Sequence, residues 1–311
     1  MPLHLHPYSG PANFPAMLTL ARACQAHTLH VIDLPYRLSS WALDCPDNIG
    51  QWVDEMGNLL AWAVLQAPFW TVDMVLPPDL DHVLLPAILD WVDERAVACR
   101  GTPFGQPSWY ANVFADQQER CQVLEQHGYT DQANVGEGSW SKVWMERDPM
   151  LPVPYYPLPK GFSLRQLAGE SEVEAYVMLH QATFMTKNMT GEWRQRTLKQ
   201  PAYLPDLDVV AVAPGGRLAA FCIGWLSQNV DGELIAQVEP LGCHADFRSY
   251  ALGRLALCEV LRRLQAHNPQ KIYVETDKFR STAFRLYESL GFKVVREILV
   301  YRKDFNNREG K

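Results

Sequence analysis

The sequence lacks several features that would assign it to a membrane, secreted or disulfide-rich class. No apolar run approaches the roughly 20 residues that a membrane-spanning helix needs. The N-terminus has no basic segment followed by an apolar run, which a secretory signal would require. The seven cysteines are odd in number and include no pair separated by two residues, which fits a reduced protein. These absences predict a cytoplasmic protein that does not enter membranes.

The chain is also short of basic charge. It has 28 Lys and Arg residues against 35 Asp and Glu residues, for a net charge of −7 and a pI of about 5.7. Domains that bind nucleic acid carry a basic excess that neutralises phosphates, so we predict no nucleic-acid partner. His4 and His6 have no clustered cysteines or carboxylates beside them, and we predict no metal site. Nothing in the composition indicates an oligomeric state.

A proline-rich segment divides the chain. Five prolines fall within residues 148–159, and such a segment forms neither a helix nor an interior strand. A chain of 311 residues is also longer than one compact core usually accommodates. We therefore predict an N-terminal domain at residues 1–148, a linker at residues 149–160 and a C-terminal domain at residues 161–311.

The two halves share one pattern of predicted elements. In each half, strands and helices alternate in the same order and end with a short helix, a glycine and a last strand. Residues 124–129 (LEQHGY) of the first half correspond in this way to residues 287–292 (YESLGF) of the second. The pattern predicts two copies of one α/β fold.

One stretch of the second half has the chemistry of an anion site. Residues 234–241 are a predicted strand, and residues 252–264 repeat apolar side chains at helical spacing. The first N–H groups of a helix lack intrahelical partners, and the helix dipole adds positive charge there. Between strand and helix lie small residues that admit a bulky anion and two arginines that attract it. These residues are Arg248, Ser249, Ala251, Gly253 and Arg254.

Two motifs of the second half resemble those of the GNAT (Gcn5-related) N-acyltransferases. Arg248, Ala251 and Gly253 match the family's acetyl-CoA loop, (Gln/Arg)-x-x-(Gly/Ala)-x-(Gly/Ala), and residues 283–292 (AFRLYESLGF) match its recurrent second helix. The resemblance covers roughly residues 161–305, while the first half resembles the same fold without the motifs. It implies an α/β chain of two tandem GNAT folds, similar to mycothiol synthase-like proteins. Each fold would have a mixed, mostly antiparallel sheet with a splayed strand pair and flanking helices.

The resemblance also implies where acetyl-CoA binds. In the family, the acyl-pantetheine lies in the gap between two splayed strands, here residues 234–242 and 271–276. Backbone groups near Leu241 and Cys243 would pair with it, and one N–H group would polarise the thioester carbonyl. The other expected cofactor contacts are Arg248, Ser249, Tyr250, Ala251, Leu252, Gly253, Arg254 and Arg280, the last where the family often has asparagine.

Two residues are the expected catalytic groups. Tyr287, in the second motif, would protonate the departing CoA thiolate, or else it is a core aromatic residue. Glu239 lies in the strand beside the gap, where apolar neighbours would raise its carboxyl pKa, so it is the best candidate base for the attacking amine. A water chain is the alternative base, and Glu239 would then only position the substrate or face solvent. His244 is a second candidate base, or a capping residue of the turn.

Acceptor specificity in this fold usually comes from the irregular region after the first helix. In the second half this region is residues 180–193, and we take Met185, Asn188 and Trp193 from it as candidate substrate contacts. Tyr36 and Arg37 of the first half would join them if the two domains pack face to face. For each of these residues, plain structural packing is the alternative.

The first half lacks the chemistry of the phosphate turn. Residues 77–82 (PPDLDH) stand where the turn would be, and there prolines remove N–H donors while aspartates repel a pyrophosphate. Leu124 replaces the tyrosine of the second motif. We predict that this half is a degenerate copy that binds no cofactor productively.

The sequence and the resemblance together predict an acetyl-CoA-dependent N-acetyltransferase. It would transfer the acetyl group to the amine of a small molecule by direct attack in a ternary complex. One alternative is a CoA-binding sensor or scaffold without catalysis, and another is an acyltransferase that uses a different acyl donor. The identity of the acceptor is not encoded in any motif of the chain.

Overall fold

The computed structural model describes residues 4–278 and 281–305, with only the backbone of Ser281. The helices of the first half are α1 (Phe14–Ala23), α2 (Leu34–Arg37), α3 (Asp81–Ala98) and α4 (Gln118–Gln126). Its strands are β1 (His4–Pro7), β2 (Ile49–Val53), β3 (Leu59–Gln66), β4 (Thr71–Val75), β5 (Ser108–Phe114), β6 (Thr130–Asp131) and β7 (Ser141–Arg147).

The second half repeats this order of elements, as the sequence pattern predicts. Its helices are α5 (Val173–Phe184), α6 (Gly191–Leu198), α7 (Leu252–Ala266) and α8 (Ser281–Ser289). Its strands are β8 (Ser163–Gln166), β9 (Asp208–Val212), β10 (Leu218–Gln228), β11 (Leu234–Cys243), β12 (Lys271–Asp277) and β13 (Lys293–Asp304). The proline-rich segment between β7 and β8 contains neither helix nor strand.

The short helices of the two halves end in the same way. Gly128 follows α4 with φ of 80°, and Gly291 follows α8 with φ of 89°. Glycine adopts this left-handed conformation without the steric cost that a Cβ atom imposes. The pair of glycines therefore has a structural reason, which supports the correspondence between residues 124–129 and 287–292.

The described strands form one continuous mixed sheet. Its order is β1-β2-β3-β4-β5-β13-β7-β12-β11-β10-β9-β8, with β6 paired to β13 outside this path. The last strands of the two halves are exchanged: β13 pairs with β5 of the first half, and β7 pairs with β12 of the second. The sequence pattern led us to expect that residues 141–145 would close the sheet of their own half. The hydrogen-bonded sheet instead runs across the predicted boundary.

Helices cover both faces of the sheet in each half. In the second half, α7 lies on one face against β9 and β10, and α5 lies on the other face against β10 and β11. The apolar core on the α5 face also contains Ile32 and Tyr36 of the first half. The halves therefore share buried apolar surface as well as strand pairing. None of the helices in residues 4–278 and 281–305 has the length and apolar character that crossing a bilayer requires.

Candidate active site

The two central strands of the second half separate along their length. The parallel pairing of β11 with β12 runs from Ile235 with Lys271 to Gln237 with Tyr273, and the described residues show no further pairs although both strands continue. On its other side, β11 pairs with β10 through a β-bulge that begins after Val238. A gap with unpaired backbone edges therefore opens beyond Gln237, as the resemblance implied.

The gap leads to the predicted phosphate turn. After β11 a short 3-10 helix spans Ala245–Tyr250, and α7 begins at Leu252 after Ala251, whose φ is 55°. No side chain caps the start of α7, and its first turn contains no acidic residue. Apart from the Gly253 N–H, which donates to Cys243, the first N–H groups of α7 have no side-chain partner among the described residues, which is the condition for holding an anion.

Gly253 leaves open space at this turn. A Cβ atom built on Gly253 would meet only the Cβ of Cys243, at 3.7 Å, within 4 Å. Gly253 also lies within a helix and has no positive φ, so neither packing nor backbone conformation requires glycine there. The space is what a phosphate group would need for close approach to the backbone. The donor set and this space fit the pyrophosphate of a CoA molecule.

The other expected cofactor contacts surround the turn in different ways. Arg248, Ser249 and Tyr250 are exposed. Arg254 donates from Nη1 to the Tyr156 hydroxyl at 3.2 Å and to Ser289 Oγ at 3.2 Å. Tyr156 comes from the proline-rich segment, and we did not predict that it would reach the site.

Leu241, Cys243 and Leu252 lie on the path from the gap to the helix. The Leu252 side chain is buried, so only its backbone is available to a ligand. Burial raises the pKa of the Cys243 thiol, which keeps it neutral, although the Gly253 N–H donates to it. His244 Nδ1 accepts from the Asp246 N–H at 3.1 Å and so caps the 3-10 helix. Arg280 lies outside the described residues.

Tyr287 and Glu239 lie on opposite faces of the sheet. Tyr287 is buried in the apolar cluster on the α7 face, together with Val238 of β11. Besides burial, the Glu239 carboxylate helps to raise the pKa of Tyr36, which lies in the apolar core on the α5 face, so Glu239 points to that other face. Burial, reinforced by the carboxylates of Asp33 and Glu275, raises the pKa of the Glu239 carboxyl to about 8. The two predicted catalytic residues therefore stand on either side of the same strand beside the gap.

A charged cluster from both halves surrounds Glu239. His30 of the first half has Nδ1 3.4 Å from Asp33 Oδ2 and Nε2 3.5 Å from Glu275 Oε2. Lys142 Nζ donates to Glu275 Oε1 at 2.7 Å. Burial alone would raise the pKa of the Glu275 carboxyl, but Lys142 and His30 outweigh it and lower that pKa to about 2. His30, Asp33 and Glu275 were not among the predicted site residues. Packing between the halves brings His30 and Asp33 to Glu239, whereas Glu275 lies in β12, two residues beyond Tyr273, the last residue that pairs with β11.

The pKa of His30 reflects the same cluster. Burial and the Arg37 guanidinium oppose protonation of the His30 ring, but the carboxylates of Glu275 and Asp33 outweigh them and raise its pKa. His30 also has a left-handed backbone conformation, with φ of 59°. Such strained residues persist only where the surrounding structure holds them, and they cluster at functional sites.

The predicted substrate contacts are not gathered into one site. Tyr36 and Trp193 are buried against each other, with ring centroids 5.1 Å apart, and Trp193 Nε1 donates to the Tyr36 carbonyl. Arg37 is buried in a bidentate pair with Asp73, at 2.7 and 2.6 Å. Tyr36 and Trp193 therefore hold the interface between the halves, while Arg37 is tied to β4 of the first half, whatever further role these residues have.

The other two predicted contacts lie in the loop between α5 and α6. Met185 is exposed, with a left-handed φ of 52°. Asn188 donates from Nδ2 to the Pro68 carbonyl, and its own carbonyl accepts from Trp41 Nε1 at 2.8 Å. Asn188 thus ties the loop to the first half, while Met185 projects from it. Their roles as substrate contacts stay predictions.

The corresponding turn of the first half is occupied by the protein itself. Asp81, the first residue of α3, forms a buried bidentate pair with Arg120, at 2.7 and 2.8 Å. Arg120 also donates to the carbonyls of His27 and Leu76. A carboxylate and its arginine therefore stand where the second half offers unneutralised N–H groups.

Sequence comparison identifies the class of the second half. Residues 173–292 match the family model described as "Acetyltransferase (GNAT) family". The match to the GNAT acetyltransferase family thus covers most of the second half. The matched residues include the gap, the phosphate turn, Glu239 and Tyr287, so the GNAT signature and the site coincide.

The curated relatives of the chain are named mycothiol acetyltransferase. The protein from Thermobispora bispora is 28% identical over 173 residues, which are 52% of this chain and 57% of that protein. The protein from Salinispora arenicola is 26% identical over 156 residues, which are 48% of this chain and 51% of that protein. The chain thus spans about half the length of the curated relatives it matches.

Solved structures show the same tandem GNAT fold over the whole chain. A GCN5-related N-acetyltransferase from Sphaerobacter thermophilus is 19% identical, with a TM-score of 0.62, and the match covers 98% of this chain and 96% of that one. A tandem GNAT protein from the clavulanic acid biosynthesis pathway is 15% identical, with a TM-score of 0.63 and coverage of 99% and 100%. At these identities the likeness concerns the fold, and it confirms the predicted α/β architecture of two tandem GNAT folds.

Proposed function

We propose that the protein is an acetyl-CoA-dependent N-acetyltransferase that acts on the amine of a small molecule. The gap between β11 and β12 carries this proposal, because it opens onto the uncapped start of α7 and has Glu239 and Tyr287 on its two sides. In this proposal residues 161–311 are the catalytic domain, residues 149–160 are the linker, and residues 1–148 are a domain that forms one wall of the acceptor site.

The N–H groups at the start of α7, with Arg248 and Arg254, would hold the pyrophosphate of acetyl-CoA. When bound, acetyl-CoA supplies an acyl thioester, which is reactive towards an unprotonated amine. Unpaired backbone near Leu241 and Cys243 would align the pantetheine arm in the gap, with an N–H group directed at the developing oxyanion. The protein would thus provide binding, orientation and electrostatic stabilisation without a metal or covalent intermediate.

The substrate ammonium must lose two protons during the reaction. Glu239 would accept one proton, so that the nitrogen can form its bond to the acetyl carbon, and this proton then leaves to solvent. As the carbon–sulfur bond breaks, the Tyr287 hydroxyl would give a proton to the thiolate and regain one from the new amide nitrogen through water. A carboxyl group with a pKa of about 8 is well matched to an amine near neutral pH.

Calorimetric titration of acetyl-CoA tests the cofactor half of this proposal. Wild-type protein should bind one acetyl-CoA per chain. Gly253→Glu should abolish binding, because the space beside Gly253 accepts a side chain but the new carboxylate would repel the pyrophosphate. The matched control is Ala266→Glu, which adds the same charge at the exposed far end of the same helix and should bind acetyl-CoA as wild type does.

Each other outcome has a defined meaning. Two sites per chain would show that the first half also binds the cofactor, despite the Asp81–Arg120 pair. Binding without thiol release across a panel of amines would favour the CoA-binding sensor. Absence of binding would remove the transferase proposal, or would require an acyl donor other than acetyl-CoA.

A further inference from the structure

The first half contains its own gap between parallel strands. Thr71 of β4 pairs with Tyr110 of β5, and the described residues show no further pairs although β4 continues to Val75 and β5 to Phe114. In the second half, the same separation of β11 and β12 is the proposed place of the pantetheine arm. The first half therefore keeps the strand geometry of a cofactor site although it lacks the phosphate turn.

The protein's own chain lies in this gap. Residues 27–31, residues 72–75 of β4 and residues 112–113 of β5 together line a cavity of about 30 Å³. Such a volume holds about two water molecules, so it does not admit a pantetheine arm. We call residues 27–33 the bridging segment, because they continue from this gap into the second half.

The Asp81–Arg120 pair anchors one end of the bridging segment. Arg120 Nη1 donates to the His27 carbonyl at 2.9 Å, and Gln117 Nε2 donates to the same carbonyl at 3.0 Å. Arg120 is itself held by Asp81 at the start of α3, where the second half has its phosphate turn. The pair that replaces the phosphate turn therefore holds the segment that replaces the pantetheine arm.

The other end of the bridging segment enters the second half. Ile32 belongs to the apolar core on the α5 face, and Asp33 is fully buried. Between the two ends lies His30, with its left-handed φ of 59°. Its Nδ1 lies 3.4 Å from Asp33 Oδ2, and its Nε2 lies 3.5 Å from Glu275 Oε2. Both ends of the segment are fixed, so the ring is held between the two carboxylates.

The His30 ring faces charges from several elements. Burial and the Arg37 guanidinium of α2 oppose its protonation, and the carboxylates of Glu275 and Asp33 outweigh them. Lys142 of β7 stands behind Glu275 and is paired with its other oxygen. His30 also lines a cleft of about 660 Å³ between the halves, so solvent in this cleft can exchange protons with the ring.

The charge on His30 acts on Glu239. Burial, followed by the carboxylates of Asp33 and Glu275, raises the pKa of the Glu239 carboxyl. His30 and Lys142 act in the opposite direction. Because Glu239 can accept a proton only in its ionised form, a protonated His30 increases the fraction of Glu239 that is able to act as a base.

We propose that the bridging segment closes the cofactor gap of the first half and thereby holds His30 as a positioning residue for the base of the second half. The first half then contributes to the reaction through its own closed cofactor site. The inference rests on the proposed acetyltransferase function and assigns the first half a role in it.

The pH dependence of kcat/KM tests the role of His30. The assay is thiol release from acetyl-CoA with glucosamine, 2-aminoethanol or phenethylamine, whichever reacts fastest. His30→Gln should lower kcat/KM about tenfold at pH 7 and should approach wild type at about pH 9.5, because loss of the cation moves the ionisation of Glu239 upward by about one pH unit. The ionisation of the amine is the same in both proteins and cancels in the ratio.

His27→Gln is the matched control. It makes the same substitution three residues earlier, where the backbone carbonyl rather than the ring forms the anchoring hydrogen bonds, and it should keep the wild-type pH profile. In His30→Gln, a loss of equal size at both pH values would indicate a merely structural contact and would overturn the positioning role. An unchanged kcat/KM at pH 7 would overturn it as well.

NMR titration of the His30 ring tests its placement without relying on catalysis. The signal, assigned by its loss in His30→Gln, should titrate above the ordinary pKa of 6.5. Gln117→Leu removes one of the two donors to the His27 carbonyl and should lower this pKa by about 0.5, because the ring is held less firmly between the carboxylates. The control Gln118→Leu changes the next residue, which is exposed, and should leave the pKa as in wild type.

The titration separates failure of this inference from failure of the proposed function. A His30 pKa at or below 6.5 in wild type, or the same pKa in Gln117→Leu as in wild type, would overturn the inference whatever the activity. If His30 titrates as expected but none of the three amines is acetylated, the proposed function fails, while the placement of His30 by the bridging segment stands.

Discussion

Replacement of Glu239 by Gln should make the protein more stable at alkaline pH, by an amount that depends on pH. The folded state raises the pKa of this carboxyl group from its ordinary value of 4.5 to about 8, through burial and through the carboxylates of Asp33 and Glu275. Between these two values the unfolded chain has lost the proton while the folded chain still holds it. Stability therefore falls as pH rises from 4.5 to 8, and this fall should be absent in Glu239→Gln.

The size of this stability difference follows from the pKa shift of Glu239. Each unit of pKa difference corresponds to about 1.4 kcal/mol, so a shift of about 3.5 units gives an upper limit of about 5 kcal/mol at pH 8 and above. Glu239 retains some access to solvent. Water that reaches the ionised carboxylate stabilises it and so reduces this free energy. Trp225 donates to the backbone carbonyl of Glu239, so the substitution leaves that hydrogen bond in place.

Urea unfolding of wild type and Glu239→Gln at pH 5, 7 and 9 measures the difference. The variant should gain stability relative to wild type with each step in pH. His30, whose pKa is raised, also loses its stabilising contribution as pH rises through its folded pKa. The comparison is therefore repeated in a His30→Gln background. A difference between wild type and Glu239→Gln that is the same at pH 5 and pH 9 would refute the raised pKa of Glu239.

Three further predictions concern other parts of the structure. Tyr287→Phe should lower kcat by about tenfold to a hundredfold with unchanged acetyl-CoA affinity, because it removes only the hydroxyl of the proposed acid. If kcat in this variant equals that of wild type, Tyr287 serves only as a core residue. Arg120→Met should lower the free energy of unfolding in urea by about 3–5 kcal/mol, since it leaves Asp81 buried and unpaired. The double variant with Asp81→Asn should recover part of that loss. If it recovers none, the argument from the Asp81–Arg120 pair is wrong. Burial and Arg194 lower the pKa of His180 to about 3, so this residue should contribute a loss of about 2 kcal/mol of stability between pH 6.5 and 4.5, as the unfolded chain takes up the proton. His180→Gln should lose less over the same range, and an identical slope in thermal unfolding would argue against a neutral buried His180.

Local sequence patterns were sufficient for the elements and for the phosphate turn. The apolar strand, the small residues and the helical repeat of residues 234–264 are contiguous, so the turn at Ala251 and Gly253 could be recognised without long-range information. Glu239 was predicted as the candidate base in the same way, because it follows Val238 in a strand that borders the gap. Its apolar neighbours in the sequence predicted a raised pKa in the correct direction.

The residues that gather around Glu239 could not be recognised in this manner. Tyr36 and Trp193 were predicted as substrate contacts from their position and chemistry, yet the structure buries them against each other. His30 and Asp33 lie next to Tyr36 in the sequence and reach the cluster around Glu239 instead. Asp33 and Tyr36 are only three residues apart, in a segment without a periodic pattern. The sequence therefore does not show which of them reaches Glu239.

The sequence by itself determined the order of strands and helices, and the small residues and arginines at the start of α7 where the first half has prolines and aspartates. These features depend on residues that are neighbours in the chain, where spacing and backbone chemistry act directly. Only the tertiary structure decided the exchange of β7 and β13, the cleft between the halves and the charge environment of Glu239. Each of these depends on pairing or burial between segments that are distant in the chain, and many strand orders are compatible with the same local pattern.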